Sequence, residues 1–165
     1  MSRVRIAEIL ELLGKEQDCT LFPPNNFLPE IEKNLVMPDD LKEFYKLCGG
    51  VRLFESQLYP ITIVRPDEFV LANPVIVGER CEEDISANWY IIGKEGLSQF
   101  ITINLRSEQN GRCYDSFVDR HGIVGECPII AVSFTDLLER LLHNKGQRWY
   151  WLNDTFDPLG DAYDE

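Results

Sequence analysis

Ile6, Ile9, Leu10 and Leu13 fall at i, i+3, i+4 and i+7, one face of a helix, with Ser2 ahead as a cap. This predicts an N-terminal helix over 3–18. The run "LFPPNNFLP" that follows cannot continue it, because its prolines lack amide donors and push their predecessors into extended geometry. A short helix is predicted around Glu30 to Leu35. In "MPDDLKEFYKLCGG" (37–50), Pro38 suits a helix start and Asp39 and Asp40 sit near the positive end of its dipole. Leu41, Phe44, Tyr45 and Cys48 repeat the stripe, Gly49 is placed to take the left-handed cap, and Gly50 frees the next turn. This stripe reads first as core; the lesser reading gives Asp39, Asp40, Lys42 and Glu43 an exposed face for a partner.

The period then changes. "VRLFESQLYPITIV" alternates with β-branched and aromatic residues and predicts one or two strands. "RPDEFVLANP" predicts a helical turn or two between prolines. "WYIIGKEG", "FITINL" and "GRCYDSFVD" are strands separated by glycine-bearing turns, "DRHG" is a further turn, and "IIAVSF" is a last strand. In "SFTDLLERLLHNKG", Ser133 and Asp136 have capping-box spacing, Phe134, Leu137, Leu138 and Leu141 share a face, and Gly146 stops the helix after Lys145. Helices, then strands, then a helix predict an α+β fold, with helices on a mostly antiparallel, twisted sheet. The 165 residues suit a single domain, with its core over 27–143 and a tail at 149–165.

Charge narrows the function classes. Sixteen basic residues face 28 acidic ones, a net −12. That disfavours direct binding to nucleic acid or an anionic membrane and favours a basic partner, although solubility alone would also account for it. Residues 61–100 hold seven acids and three bases, and residues 149–165 hold five acids and no base. No apolar run is long enough for a membrane helix, and the N-terminus lacks a signal-peptide pattern. Five cysteines at scattered spacings read as reduced thiols in a cytoplasm.

The order of these motifs carries a resemblance. A proline-started helix ending in Gly49-Gly50, the strands "WYIIGKEG" and "FITINL", then "GRCYDSFVD" and "IIAVSFTDLLERLL", is similar to the SMI1/KNR4 type of the SUKH superfamily over roughly 27–143. The resemblance implies an α+β fold without a shared catalytic constellation. Many bacterial members look like immunity proteins that bind and neutralise a toxin, often a nuclease or deaminase, passed between competing cells. Eukaryotic members look like regulatory interaction proteins. One departure stands out: members often carry a Gly-Gly-Gly-Asp-like run after the "IG" strand, where this chain has "KEGLSQF" with Gly96 alone.

Candidate chemistry is sparse. Cys113, His121 and Cys127 lie within fifteen residues but lack the close pairs of a zinc site. No nucleophile elbow or phosphate-binding glycine loop occurs. Carboxylate pairs such as Asp115 with Asp119 are expected in so acidic a chain, and a carboxylate-dependent hydrolase is the weakest reading. No cofactor and no metal is expected. Binding has better material. Glu82, Glu83 and Asp84 precede Trp89 and Tyr90, acids that steer beside aromatics that anchor, against the stronger reading that the pair opens a core strand with one ring facing in. Trp149 and Trp151 flank Tyr150, and three adjacent aromatics cannot all face one way. Asp154 and Asp157 follow and extend that candidate interface. The expectation is a cytoplasmic, non-enzymatic immunity protein whose acidic surface binds a basic toxin domain such as a nuclease, with a regulatory scaffold of the Smi1/Knr4 kind as the alternative. A homo-oligomer is left open.

Overall fold

A computed structural model describes residues 2–153, 155–156 and 159–164. The chain lays down α1 (Ser2–Gly14), β1 (Thr20–Leu21), α2 (Asp39–Leu47), β2 (Val51–Leu53), β3 (Ile61–Ile63), α3 (Ala72–Ile76), β4 (Trp89–Glu95), β5 (Gln99–Asn104), β6 (Cys113–Asp115), β7 (Ile129–Ala131) and α4 (Phe134–Asn144). The seven strands form one antiparallel sheet in chain order, so each hydrogen-bonds to its sequence neighbours. This is the α+β fold that the periodicity predicts.

The three apolar helix stripes read from sequence are buried together. Ile6 and Leu13 of α1, Leu41, Phe44 and Tyr45 of α2, and Phe134, Leu137 and Leu138 of α4 share a core with Ile61, Ile63, Ile101, Ile103 and Ile130 of the sheet. Phe44 meets Phe134 edge-on at 4.9 Å. Asp40, which the lesser reading placed on a partner-facing surface, is buried instead. Its carboxylate accepts from the Thr135 amide (2.9 Å), the Thr135 hydroxyl (2.8 Å) and the Leu41 amide (2.9 Å), tying the starts of α2 and α4 together. Ser133 accepts from the Asp136 amide at 3.0 Å, as the capping spacing predicts.

Three local expectations are corrected. α1 ends at Gly14, short of residue 18. Residues 30–35 make only a turn, because the segment spans the distance from the proline-rich stretch to α2 and Leu35 is its one fully buried side chain. The left-handed glycine after α2 is Gly50 (φ 114), while Cys48 caps the helix in extended geometry. Gly49 is needed for space: a Cβ there would strike the Pro23 carbonyl and the Asn25 side chain.

The sheet is covered unequally. One face carries α1, α2 and α4 along its length. On the other face, the β2–β3 half is open: Arg52 and Thr62 are half-buried, and Arg52 Nη1 donates to Thr62 Oγ1 (2.7 Å) and Glu95 Oε1 (2.6 Å). At β5–β7 every strand residue is buried, because a second apolar cluster of Trp89, Tyr114, Cys127, Ile129 and Ala162 closes that side. No described helix is long and apolar enough to cross a membrane.

Candidate partner-binding surface

Three segments build the covered end of the sheet. The first leaves α3 at Gly78 (φ 95), where the amides of Val77 (2.8 Å) and Gly78 (3.0 Å) both donate to the Asn73 carbonyl. It exposes Glu79, Glu82 and Glu83. The Arg80 guanidinium turns away to grip Glu32, a pairing that holds the Glu32 carboxyl below its ordinary value. Asp84 caps the 3₁₀ turn Ile85–Asn88, accepting from the Ser86 amide (3.0 Å) and hydroxyl (2.5 Å). Burial would raise the Asp84 carboxyl, but hydrogen bonds from Ser86 and Tyr163 outweigh it and leave it below the usual range.

The second segment is the loop 117–128. His121 is buried, with Nε2 2.5 Å from Asn73 Oδ1. The Asn73 amide nitrogen donates to the Arg80 carbonyl (3.0 Å) and Ser86 Oγ (2.9 Å), so its oxygen is the acceptor and His121 carries its proton on Nε2. Burial pushes His121 down to about 4, partly countered by Asp84. Beyond it, Gly122 (φ 79) and Gly125 (φ 84) bracket Ile123 and Val124, which are 43% and 72% exposed. The third segment is the C-terminus. The Ile129 amide donates to the Gly160 carbonyl (2.8 Å) and the Ala162 amide to the Cys127 carbonyl (2.9 Å), so residues 159–162 lie along the chain just before β7. The Asp161 carboxylate accepts from the amides of Gly125 (3.1 Å), Cys127 (2.8 Å) and Tyr163 (3.0 Å). The Tyr163 hydroxyl lies 2.7 Å from Asp84 Oδ2 and 3.1 Å from the Gly122 carbonyl, linking all three segments. Burial, then the Asp84 carboxylate, raise the phenol well above its ordinary value, so it keeps its proton.

The residues singled out from sequence divide between two places. Glu82 and Glu83 are exposed at this end, and Asp84 is half-buried in its network. Trp89 and Tyr90 require a correction: neither ring is at the surface, being 0% and 3% exposed. The alternation is intact, but this half of the sheet is covered on both faces. Trp89 stacks on Tyr114 at 4.3 Å with His121 and Tyr163 against its edge. Tyr90 stacks on Phe69 at 5.0 Å on the helix side, and its oxygen accepts from the Glu32 amide. Trp149 and Trp151 belong to the main core instead, stacked on each other at 5.9 Å. Trp149 is half-buried against Tyr59, Trp151 is buried, and the Tyr150 hydroxyl between them donates to the Ile130 carbonyl. Beside Tyr150, α1 and α4 bound a groove of about 960 Å³ lined by Arg5, Ile9, Leu12, Arg140 and Phe156, its charges internally paired as in Arg5–Glu139 and Arg140–Asp136. Asp154 and Asp157 lie outside the described residues.

Cys113 and Cys127 sit on different faces and donate to the carbonyls of Gly111 and Arg120, while His121 is committed to Asn73. Sequence reasoning missed Tyr163, Asn73 and the exposed pair Ile123-Val124. The closely spaced Gly122 and Gly125 around two branched apolar residues were the available signal.

The chain belongs to the SMI1/KNR4 family, SUKH-1, whose family model matches residues 26–140. It is 54% identical over 156 residues to a protein named immunity protein YokJ, from Bacillus subtilis (strain 168), covering 94% of each chain. No solved structure matches it.

Proposed function

We propose that this chain is a cytoplasmic immunity protein that neutralises a cognate toxin by one-to-one association, with no chemistry of its own. The observation that carries this is its identity, along nearly its whole length, to a protein named as an immunity protein. Two features support it. The net charge of −12 suits a basic partner surface, and a nuclease is an enzyme class whose substrate groove is basic. The buried carboxylates are also committed to structural donors: Asp40 to Thr135, and Asp115 to Gln99 Nε2 (2.8 Å), the Phe117 amide (3.2 Å) and Arg120 (2.5 Å). Such fully engaged groups favour binding over hydrolysis.

In this reading the acidic surface accelerates encounter and then covers the toxin's substrate groove. Steering is screened over a Debye length of about 8 Å at physiological ionic strength, so association slows as salt rises. The test is co-expression of this chain with the product of its neighbouring gene. Protection, together with a 1:1 complex of the purified proteins and no turnover, is the expected result. Undiminished killing in the presence of the folded chain would refute it.

A further inference from the structure

We propose that the Gly122–Gly125 loop is the anchor of the partner interface, inserting Ile123 and Val124 into an apolar recess on a basic protein surface. This rests on the immunity reading and deepens it.

The argument starts from what holds the loop. Gly122 is fixed through its carbonyl by Tyr163, Gly125 through its amide by Asp161, and the preceding His121 is buried against Asn73. Within the loop, the Ile123 amide donates to the Arg120 carbonyl (3.1 Å) and the Glu126 amide to the Ile123 carbonyl (3.0 Å). Such a loop loses little freedom on binding, so burial of its side chains is not offset by an ordering cost. Yet its two branched apolar side chains point to water, Val124 at 72% exposure. Single exposed apolar residues are ordinary, and Leu58 and Leu97 at two hairpin tips are examples. An adjacent pair on a loop pinned from both sides is a different case.

The surroundings choose the occupant. Glu79, Glu82, Glu83, Asp119, Glu126 and Asp164 are exposed on the same three segments. The bases there are engaged: Arg80 by Glu32 and Arg120 by Asp115. Carboxylates alone would be a solvated rim. Around an apolar pair they make the arrangement of a protein interface, an apolar centre with a polar margin. The complementary surface is positive at its margin and apolar at its centre. A nucleic acid or an anionic membrane would be repelled, and a second copy of this chain would bring the same negative rim against itself.

The experiment uses the intact chain and, as probe, the purified neighbouring-gene product that co-expression identifies. Both side chains are exposed, so the double variant Ile123→Ser/Val124→Ser should melt with the wild type. It should bind at least about 30-fold more weakly, as an interface hot spot does, through faster dissociation. Its charge is unaltered, so the salt dependence of association should stay that of the wild type, whereas Glu82→Gln/Glu83→Gln should flatten it. Leu97→Ser should bind normally. If the double variant melts early, Val124→Ser alone replaces it, with about a tenfold loss expected. Wild-type affinity in the folded variant overturns the anchor and leaves the immunity reading standing. Failure of the wild-type chain to bind or protect overturns both.

Discussion

The two faces of the sheet bury their side chains by different means. On one face, α1, α2 and α4 supply periodic apolar stripes, and Phe44, Tyr45 and Phe134 interlock with little polar content. On the other, Trp89, Tyr114 and Ile129 are sealed by a 3₁₀ turn, a loop and the C-terminal segment, none of which has a periodic pattern. The cover there is polar: Asp84, His121, Asn73 and Tyr163 hold it together by hydrogen bonds. A helix-covered face draws its stability from area removed from water. A loop-covered face also depends on each donor meeting its acceptor, which makes it sensitive to pH and to single-atom changes.

The strongest test is to cut one large ring from each face. Phe44→Ala and Trp89→Ala should each cost about 3–5 kcal/mol, the range for aromatic-to-alanine changes in a close-packed interior. Urea titration measures it. If the loop-built side were only a flap, Trp89→Ala would cost under about 1 kcal/mol, and the equivalence of the two cores would fail.

Acid separates the faces next. His121 titrates near 4 when folded and at an ordinary 6.5 when unfolded. Above pH 6.5 both states are neutral there and stability is full. As pH falls from 6.5 towards 4 the unfolded chain takes up the proton and the folded chain does not, so roughly 3 kcal/mol is lost across that window. Asp84, held low, adds its own loss only at more acid pH, as its carboxylate protonates. His121→Gln keeps a donor towards Asn73 without a titrating group. The difference between wild-type and variant melting temperatures should therefore shrink steadily below pH 6.5.

Asp40 belongs to the helix side and is buried where α2 meets α4. Asp40→Ala leaves the Thr135 amide and hydroxyl without their acceptor and should cost about 1–3 kcal/mol. Denaturant midpoints measure the loss. This residue also shows where legibility stopped. The stripe Leu41, Phe44, Tyr45 and Cys48 was readable because burial on a helix repeats every three to four residues. Asp40 looked like a solvated dipole charge because its acceptor role depends on Thr135, 95 positions away. The strands were legible for the same periodic reason. Which half of the sheet was covered twice was not, since that cover comes from the contacts of Tyr163 and Asp161 with distant loops. Glu82 and Glu83 were found by charge. Ile123 and Val124 were not found, since an apolar pair in a turn gives no periodic signal and its exposure is a tertiary fact.

The smallest effect lies on the open half of the second face. Arg52 bridges to Glu95 at 2.6 Å, with about a quarter of each side chain in water. A pair so placed gains little, because solvent screens the attraction and two long side chains must be held in one geometry. Glu95→Gln should cost under about 1 kcal/mol, and less again in 1 M salt. Arg52→Met, which keeps the stem over the sheet while removing the charge, should be equally mild. Chemical denaturation by urea at low and high salt resolves the two contributions. A cost above about 2 kcal/mol would mean that the pair is shielded as the Asp84 network is, and that the open half is closed in solution by something it does not hold by itself.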